Sequence, residues 1–134
     1  MQKEGHLSLR VRYVECDPMG YLHHSAYVPY FEMGRVELLR QQGYSYRALE
    51  DQGILFVVTK LLVNYKRPVR YDDELELRTR IVRTTTIRLE HEYELYNTHT
   101  KQLVCTAQTT LACVGRDGEV REIPAHLRPA MDVA

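Results

Sequence analysis

The sequence lacks net charge, since 18 lysine and arginine residues balance 18 aspartate and glutamate residues over 134 positions. A chain without a net field does not attract nucleic acid or an anionic membrane by charge alone, although local patches still bind phosphates. No apolar run approaches the roughly 20 residues that cross a bilayer, and residues 1–12 lack the apolar segment of a secretory signal. We therefore expect a cytoplasmic protein that binds neither nucleic acid nor membrane.

Cysteine is also scarce, and the three cysteines, Cys16, Cys105 and Cys113, form no CxxC pair. An odd number of unpaired cysteines fits a reducing compartment better than a disulfide framework. Cys105 and Cys113 are expected to be small buried apolar residues. Cys16 is a weak candidate nucleophile, because no histidine partner can be assigned to it from the sequence.

Internal repeats, low-complexity tracts and interdomain linkers are absent as well. A chain of 134 residues is long enough for one domain with a sizeable core and too short for two. We expect a single domain that spans residues 1–134.

Hydrophobic periodicity predicts a strand, one long helix and four further strands. Residues 6–15 alternate in polarity as a half-buried strand does, and residues 25–42 carry apolar side chains at helical spacing, with Pro29 near the helix start. Gly34 lowers helix propensity, which is best explained by a close approach of the helix to a sheet. The later strands are expected at residues 54–65, 74–82, 87–96 and 103–114. This pattern predicts an α+β fold in which a meander-like antiparallel sheet wraps the helix.

The order of these elements and two stretches of sequence resemble a known family. The stretch YVECDPMGYLHHSAYVPYFEMGRVELL begins at residue 13, and eight of its residues have the family's spacing: Tyr13, Asp17, Gly20, His24, Tyr27, Phe31, Glu32 and Arg35. The stretch VNYKRPVRYDDELELRTRI resembles the family's second and third strands. The chain is thereby similar to the hotdog-fold acyl-CoA thioesterases, in the branch of the 4-hydroxybenzoyl-CoA thioesterases and the YbgC-type enzymes.

The resemblance implies a hotdog fold, in which a five-stranded antiparallel sheet wraps one long helix, and hydrolysis of an acyl-CoA to free acid and CoA. Thioester hydrolysis needs a nucleophile, or a base that activates water, beside a donor for the carbonyl oxygen. Asp17 fits the first role, and Gly20 suits a tight turn that folds Asp17 back toward the helix. The helix start near His24 offers unpaired N–H groups and a positive dipole end, and the family also places this histidine side chain in the site.

Substrate contacts are expected on both sides of this centre. His23 and Tyr27 flank the catalytic residues, and His23 stands where many YbgC-type relatives carry Tyr or Asn. The segment IVRTTTIRLE contains a turn whose polar residues suit the phosphates of CoA: Arg83, Thr84, Thr85 and Arg88. Lys66 and Arg67 are second choices for the same role. The sequence leaves open whether the acyl group is aromatic or short and aliphatic.

Plainer interpretations apply to each of these residues. An Asp-Pro pair commonly initiates a turn, so that Asp17 has a structural alternative. Adjacent histidines point in different directions, so His23 and His24 make a poor metal site, and we expect neither a metal nor another cofactor. Glu32 is the reserve catalytic carboxylate, or else an ion-pair partner of Arg35 or of a strand arginine. His91, on the apolar face of a strand, is expected to be a core histidine with its hydrogen bonds satisfied.

Two other function classes stay open. A hotdog dehydratase or hydratase would bind the same thioesters, but its HFPxxPxxPG type of motif is absent from this sequence. A non-catalytic acyl-CoA-binding module would keep the fold without the chemistry, and the intact Asp17 loop argues against it. The sequence favours hydrolysis over both.

The expected partners are an acyl-CoA substrate and further copies of the chain. One helix cannot cover both the faces and the edges of a five-stranded sheet, and exposed strand edges are costly to leave unpaired. Members of the resembled family join two sheets side by side. We therefore expect a homodimer or homotetramer with active sites at the subunit interfaces.

Overall fold

The computed structural model describes residues 4–131, which form one antiparallel sheet with one long and two short helices. The strands are β1 (Glu4–Arg10), β2 (Leu55–Tyr65), β3 (Glu74–Thr84), β4 (Arg88–Asn97) and β5 (Leu103–Val114). The helices are α1 (Tyr27–Gln41), α2 (Tyr46–Asp51) and α3 (Arg128–Met131). This is the α+β architecture expected from the sequence. None of the helices within residues 4–131 has the length and apolarity that a membrane span requires.

The strand order differs from a simple meander. In space the order is β1-β3-β4-β5-β2, and every neighbouring pair is antiparallel. Strands β3, β4 and β5 form the predicted meander, but the first two strands of the chain become the two edges of the sheet. The expectation of a continuous meander is therefore corrected, because periodicity along a strand carries no information about which strand pairs with which.

The first strand is also shorter than predicted. It ends at Arg10, and Tyr13–Glu15 forms a 3₁₀ turn instead of continuing the strand. The turn is closed by the Glu15 side chain, whose Oε1 accepts a hydrogen bond from the Arg12 backbone N–H at 2.8 Å. Tyr13 and Val14 are consequently exposed, although the alternation of the sequence places Tyr13 on the core face. A local hydrogen bond from the Arg12 N–H to the Glu15 carboxylate thus overrides the strand pattern.

Helix α1 packs over β1 and β3 and buries one face against them. The buried residues of this helix are Tyr27, Tyr30, Phe31, Gly34, Leu38 and Leu39. A Cβ at Gly34 would overlap the Thr79 hydroxyl and would lie 2.8 Å from the Leu77 Cδ2 atom. The close approach predicted from Gly34 is therefore confirmed. Cys105 and Cys113 are both buried, as expected.

His91 of β4 is a core residue whose hydrogen bonding differs from the expectation. The residue is only 2% exposed, and its Nδ1 has no hydrogen-bond partner within residues 4–131. Burial, together with the positive charge of Arg35, lowers the pKa of His91 to about 3. The imidazole is therefore neutral near pH 7, and the prediction of a satisfied histidine is wrong for this nitrogen.

We predict that His91 destabilises the protein in acid. Its pKa is 6.5 as a free side chain and about 3 in the fold, so the unfolded chain binds one more proton between these values. The free energy of unfolding should fall with decreasing pH across this window, by up to about 1.4 kcal/mol per pH unit from this residue. Urea titrations from neutral pH to about pH 5 measure the slope.

The control for this prediction is a second histidine substitution. His91→Gln should remove this part of the slope, whereas His99→Gln, at an exposed loop position, should retain it. Equal slopes in the wild type and in His91→Gln would contradict the prediction.

Candidate active site

A cavity of about 340 Å³ opens where the start of the long helix, the loop before it and the end of β2 meet. It is lined by Asp17, Leu22, His24, Tyr27, Tyr65, Lys66, Arg67 and Pro68. Asp17, His24 and Tyr27, which were expected in the site, are thus brought together, and the second-choice phosphate ligands Lys66 and Arg67 lie beside them. The volume is at the lower end of the range for small-molecule sites in proteins.

A tight loop holds the Asp17 side chain. The N–H of Gly20 donates to the Asp17 carbonyl at 2.9 Å, and Gly20 has a φ of 84°, which a glycine adopts without strain. Oδ1 of Asp17 accepts hydrogen bonds from the backbone N–H groups of Met19 at 2.9 Å and Tyr21 at 3.1 Å. Oδ2 accepts none from residues 4–131. One carboxylate oxygen is fixed by the backbone and the other is available to a substrate or a water molecule.

The helix starts with a 3₁₀ turn, His24–Ala26, that continues into α1. Nδ1 of His23 accepts a hydrogen bond from the Ser25 N–H at 3.1 Å, and the His23 carbonyl accepts one from the Ala26 N–H at 2.9 Å. The N–H of His24 donates to no acceptor in the described part of the chain. This unpaired amide lies on a residue that lines the cavity, where the positive end of the helix dipole adds to its field.

The two adjacent histidines have different positions. Their rings lie with centroids 4.1 Å apart, but only His24 lines the cavity. His23 uses a ring nitrogen to cap the helix, and because this nitrogen accepts a hydrogen bond, the neutral ring carries its proton on Nε2. The structure therefore gives His23 a capping role and places it outside the cavity lining, unlike the expected substrate contact.

Tyr65 is a site residue that the sequence analysis missed. Its hydroxyl donates to the His24 carbonyl at 2.9 Å, and its ring packs edge-on against Tyr27 with centroids 4.9 Å apart. Burial, with smaller contributions from Cys105 and Tyr65, raises the pKa of Tyr27 to about 12, so its phenol is neutral. Tyr65 is the last residue of β2, and only its position beside Lys66 hinted at a role.

The basic residues considered for the CoA phosphates lie at two ends of the sheet. Lys66 and Arg67 line the cavity, and both donate backbone N–H groups to the Val104 carbonyl. The first-choice cluster, Arg83, Thr84, Thr85 and Arg88, surrounds the β3–β4 turn. At about 3.3 Å per residue, the eleven residues of β3 put this turn roughly 30 Å from the cavity end. Within one chain the structure does not bring this cluster to Asp17.

Several side chains of the β3–β4 turn already have partners within the same chain. Oγ1 of Thr85 accepts hydrogen bonds from the N–H groups of Ile87 and Arg88, and the Thr84 hydroxyl donates to the Met131 carbonyl at 2.5 Å. The Arg83 guanidinium lies 4.0 Å from the Glu90 carboxylate. The threonines therefore shape the turn, while the guanidinium groups of Arg83 and Arg88 remain largely exposed.

The reserve nucleophiles are less well placed than Asp17. Glu32 is exposed on α1 outside the cavity lining, and the ion pair expected between Glu32 and Arg35 is absent within residues 4–131. Arg35 instead donates to the Tyr93 hydroxyl at 3.2 Å. Burial and the charges of Asp17 and Glu15 raise the pKa of the Cys16 thiol, which disfavours the reactive thiolate.

A larger depression of about 640 Å³ lies elsewhere, between the end of β1 and the β4–β5 turn. Its charged groups have local partners, since Arg10 lies 2.9 Å from Glu74 and 3.6 Å from Asp72, and Asp73 accepts a hydrogen bond from the Arg70 N–H at 2.9 Å. None of the helices within residues 4–131 contributes a residue to its lining. Within residues 4–131 no three His, Cys, Asp or Glu side chains are grouped as metal ligands. The smaller cavity is therefore the better candidate for chemistry.

Comparisons with known proteins cover almost the whole described chain. A family model described as the thioesterase-like superfamily matches residues 11–131. The acyl-CoA thioester hydrolase YbgC of Escherichia coli is 34% identical over 106 residues, which are 79% of this chain and 78% of that protein.

Solved structures show the same similarity. The crystal structure of a DHNA-CoA thioesterase from Staphylococcus aureus superimposes with a TM-score of 0.86 and 30% identity, over 94% of this chain and 82% of that one. A protein of known structure from Aquifex aeolicus gives a TM-score of 0.90 and 28% identity, over 96% of this chain and 99% of that one. The residues matched by the family model include the Asp17 loop, the long helix and strands β2 to β5.

Proposed function

The chain belongs to the thioesterase-like superfamily, among the YbgC-type acyl-CoA thioesterases with the hotdog fold, and we propose that it hydrolyses acyl-CoA in the cavity beside Asp17. The products are the free acid and CoA. The observation that carries the proposal is the pairing, at one cavity, of a carboxylate with one uncommitted oxygen and a helix start with one uncommitted N–H.

The chemistry needs both of these groups. The thioester carbonyl oxygen accepts a hydrogen bond from the His24 N–H, and the helix dipole stabilises the negative charge that develops on this oxygen. Asp17 either attacks the carbonyl carbon and expels the CoA thiolate, giving an anhydride that water then hydrolyses, or removes a proton from the water that attacks. Both routes consume one water and release one CoA for each acyl group.

The acyl group would lie against the aromatic wall of Tyr27 and Tyr65. The names of the relatives do not fix its class, since the S. aureus structure is named for DHNA-CoA and the E. coli relative for acyl-CoA in general. A panel of aromatic and short aliphatic acyl-CoAs, followed by continuous thiol release, tests the proposed function. Binding without thiol release would favour an acyl-CoA-binding module, and change of the acyl chain without thiol release would favour a hydratase or dehydratase.

We predict that Asp17→Asn lowers the rate of hydrolysis by roughly 10²–10⁴-fold, because the amide keeps the shape of the side chain and loses its basicity. The measurement is thiol release from the best substrate of the panel. Asp117→Asn is the matched control, since Asp117 also accepts a backbone N–H in a turn, from Glu119 at 3.0 Å, away from the cavity. Turnover near the wild-type rate in Asp17→Asn would move the role to Glu32 or Cys16.

The edge strand β2 supports the proposal of a homodimer, which a further contact could extend to a homotetramer. Helix α1 covers β1 and β3, and five apolar or aromatic residues of β2 remain between 41% and 50% exposed: Val57, Val58, Leu61, Leu62 and Tyr65. These residues lie on both faces of a strand whose outer edge is unpaired in the single chain. An antiparallel β2–β2 contact between two copies covers both the edge and the apolar side chains.

We predict a dimer or larger assembly at micromolar concentration, measured by sedimentation. Leu61→Lys in β2 should shift the protein toward monomers and lower its activity, because a buried charge disfavours the contact. Val120→Lys, at a position that is 58% exposed outside β2, is the control and should leave the assembly unchanged. A fully active wild-type monomer would contradict both the dimer and the sharing of active sites between subunits.

Such a dimer would bring a second group of basic residues near the nucleotide part of a bound CoA. Two copies joined through antiparallel β2 strands have opposite directions, so the β3–β4 turn of one subunit lies at the same end as the Asp17 loop of the other. We propose that the exposed guanidinium groups of Arg83 and Arg88 reach the CoA phosphates bound to the neighbouring subunit. Arginine donors match phosphate oxygens in shape and charge. Lys66 and Arg67 of the same subunit are the competing site.

We predict that replacing both Arg83 and Arg88 by Ala raises KM for acyl-CoA and leaves KM for the matching acyl-pantetheine, which has no nucleotide, almost unchanged. Steady-state kinetics with both substrates are the measurement. The Lys66→Ala, Arg67→Ala double variant is run in parallel. An unchanged KM in the arginine variant, with a raised KM for acyl-CoA in the lysine variant, would place the phosphates beside the cavity instead.

A further inference from the structure

Glu15 is the most heavily bonded carboxylate near the cavity, although it does not line it. Its side chain is 12% exposed. Oε1 accepts hydrogen bonds from the Tyr30 hydroxyl at 2.7 Å and from the Arg12 N–H at 2.8 Å. Oε2 accepts from Nη2 and Nε of Arg12 at 3.0 and 3.2 Å. The Glu15 carbonyl accepts from the His23 N–H at 2.8 Å. Both carboxylate oxygens are therefore fully engaged.

We propose that Glu15 is a positioning residue, and that the cluster of Arg12, Glu15 and Tyr30, here termed the Glu15 clamp, sets the placement of Asp17 relative to the N–H of His24. The inference rests on the proposed hydrolysis at Asp17. Glu15 precedes Asp17 by two residues, and its carbonyl bonds the residue directly before His24. Glu15 thus lies directly before the Asp17 loop and is also hydrogen-bonded to the residue that precedes the helix start.

The anchor for this clamp is Tyr30 of α1. Tyr30 is 3% exposed and packs in the main core cluster, so its hydroxyl has a fixed position. The loop that carries Asp17 closes on itself through a bridge between Cys16 and Leu22 and through the backbone bonds of Asp17. The hydrogen bond from the Tyr30 hydroxyl to Glu15 connects α1 to the residue directly before this loop. Because the loop is held together by its own hydrogen bonds, loss of the connection to α1 would let it shift as a unit.

The charge states of Glu15 and Tyr30 favour a stable hydrogen bond between them. Burial raises the pKa of Glu15, but hydrogen bonds from Tyr30 and Arg12 and the positive charge of Arg12 outweigh burial and lower it below its usual value. Burial and the bond to Glu15 raise the pKa of the Tyr30 phenol. Near neutral pH the carboxylate accepts and the phenol donates. Because both of its carboxylate oxygens already accept hydrogen bonds and its pKa is lowered, Glu15 is suited to hold the loop in place and not to transfer a proton.

Two conservative variants test the clamp. Tyr30→Phe removes only the hydroxyl, and Glu15→Gln keeps the shape of the side chain without its charge. Each should lower kcat for acyl-CoA hydrolysis by about 10-fold or more with little change in KM, because a misplacement of about 1 Å costs up to roughly 100-fold. The double variant should be no slower than the worse single variant, since both changes weaken the same Glu15 clamp.

The control is Tyr96→Phe, which removes a phenol that donates to the Glu94 carboxylate at 3.2 Å on β4, outside the clamp and the cavity. It should retain wild-type kcat. The acid limb of the kcat/KM profile should persist in Glu15→Gln, because a positioning residue does not supply the titrating base. Loss of that limb would make Glu15 the base and overturn the proposal.

Amide hydrogen exchange provides a readout that does not need activity. Exchange over residues 16–24 should be faster in Tyr30→Phe than in the wild type, and unchanged in Tyr96→Phe. Unaltered exchange together with wild-type kcat in Tyr30→Phe would overturn the clamp. A wild-type protein that releases no CoA from any thioester would refute the proposed function, and the exchange experiment would still decide whether the clamp holds the loop.

Discussion

The contact between Gly34 and the sheet sets the position of helix α1, and the candidate site and the exposed edge strand follow from that position. A glycine at this point lets α1 lie directly against Leu77 and Thr79 of β3, where a side chain would not fit. The helix is thereby fixed over β1 and β3, and its first turn is placed at the end of the sheet where β2 ends and β3 begins. The same placement leaves several side chains of β2 exposed, among them Val57 and Leu61. The packing of α1 therefore affects both the candidate site and the surface offered to a second copy.

The polar groups around α1 divide into two sets with different roles. In the middle of the helix, Arg35 donates to Tyr93, and the hydroxyls of Tyr93 and Thr109 lie 2.7 Å apart. This chain of hydrogen bonds, with neutral His91 beside it, lies outside the lining of the candidate cavity. At the helix start, Tyr30 and Tyr65 bond outward instead, to Glu15 and to the His24 carbonyl. The second set fixes the loop and the helix start against each other, as a preorganised site requires.

Local sequence patterns predicted the long helix, strands β2 to β5 and the candidate residues at the helix start. Period-two alternation located β3, β4 and β5, the helical spacing located α1, and the spacing of Asp17, Gly20 and His24 placed the turn at the helix start. These features depend on residues close together in the chain. Gly34 also predicted a long-range contact, because a glycine inside a helix needs a packing reason.

The features that were missed depend on contacts between distant segments. Tyr30 and Glu15 are fifteen residues apart and belong to different elements, so no periodicity links them. Tyr65 reaches His24 only because β2 crosses to the far edge of the sheet, and the strand order is set by packing and not by the pattern within a strand. The turn with Arg83 and Arg88 was assigned from residue type and from its position at a predicted turn, and the length of β3 separates it from Asp17 within one chain.

In the proposed reaction the thioester lies between Asp17 and the start of α1. A crystal structure of the Asp17→Asn variant with a bound acyl-CoA would show where the thioester binds. We expect a thioester carbonyl carbon within about 3.5 Å of the residue 17 side chain and a carbonyl oxygen about 3 Å from the His24 nitrogen. A thioester bound elsewhere, for example in the depression beside Arg10 and Asp72, or one whose carbonyl points away from residue 17, would contradict it.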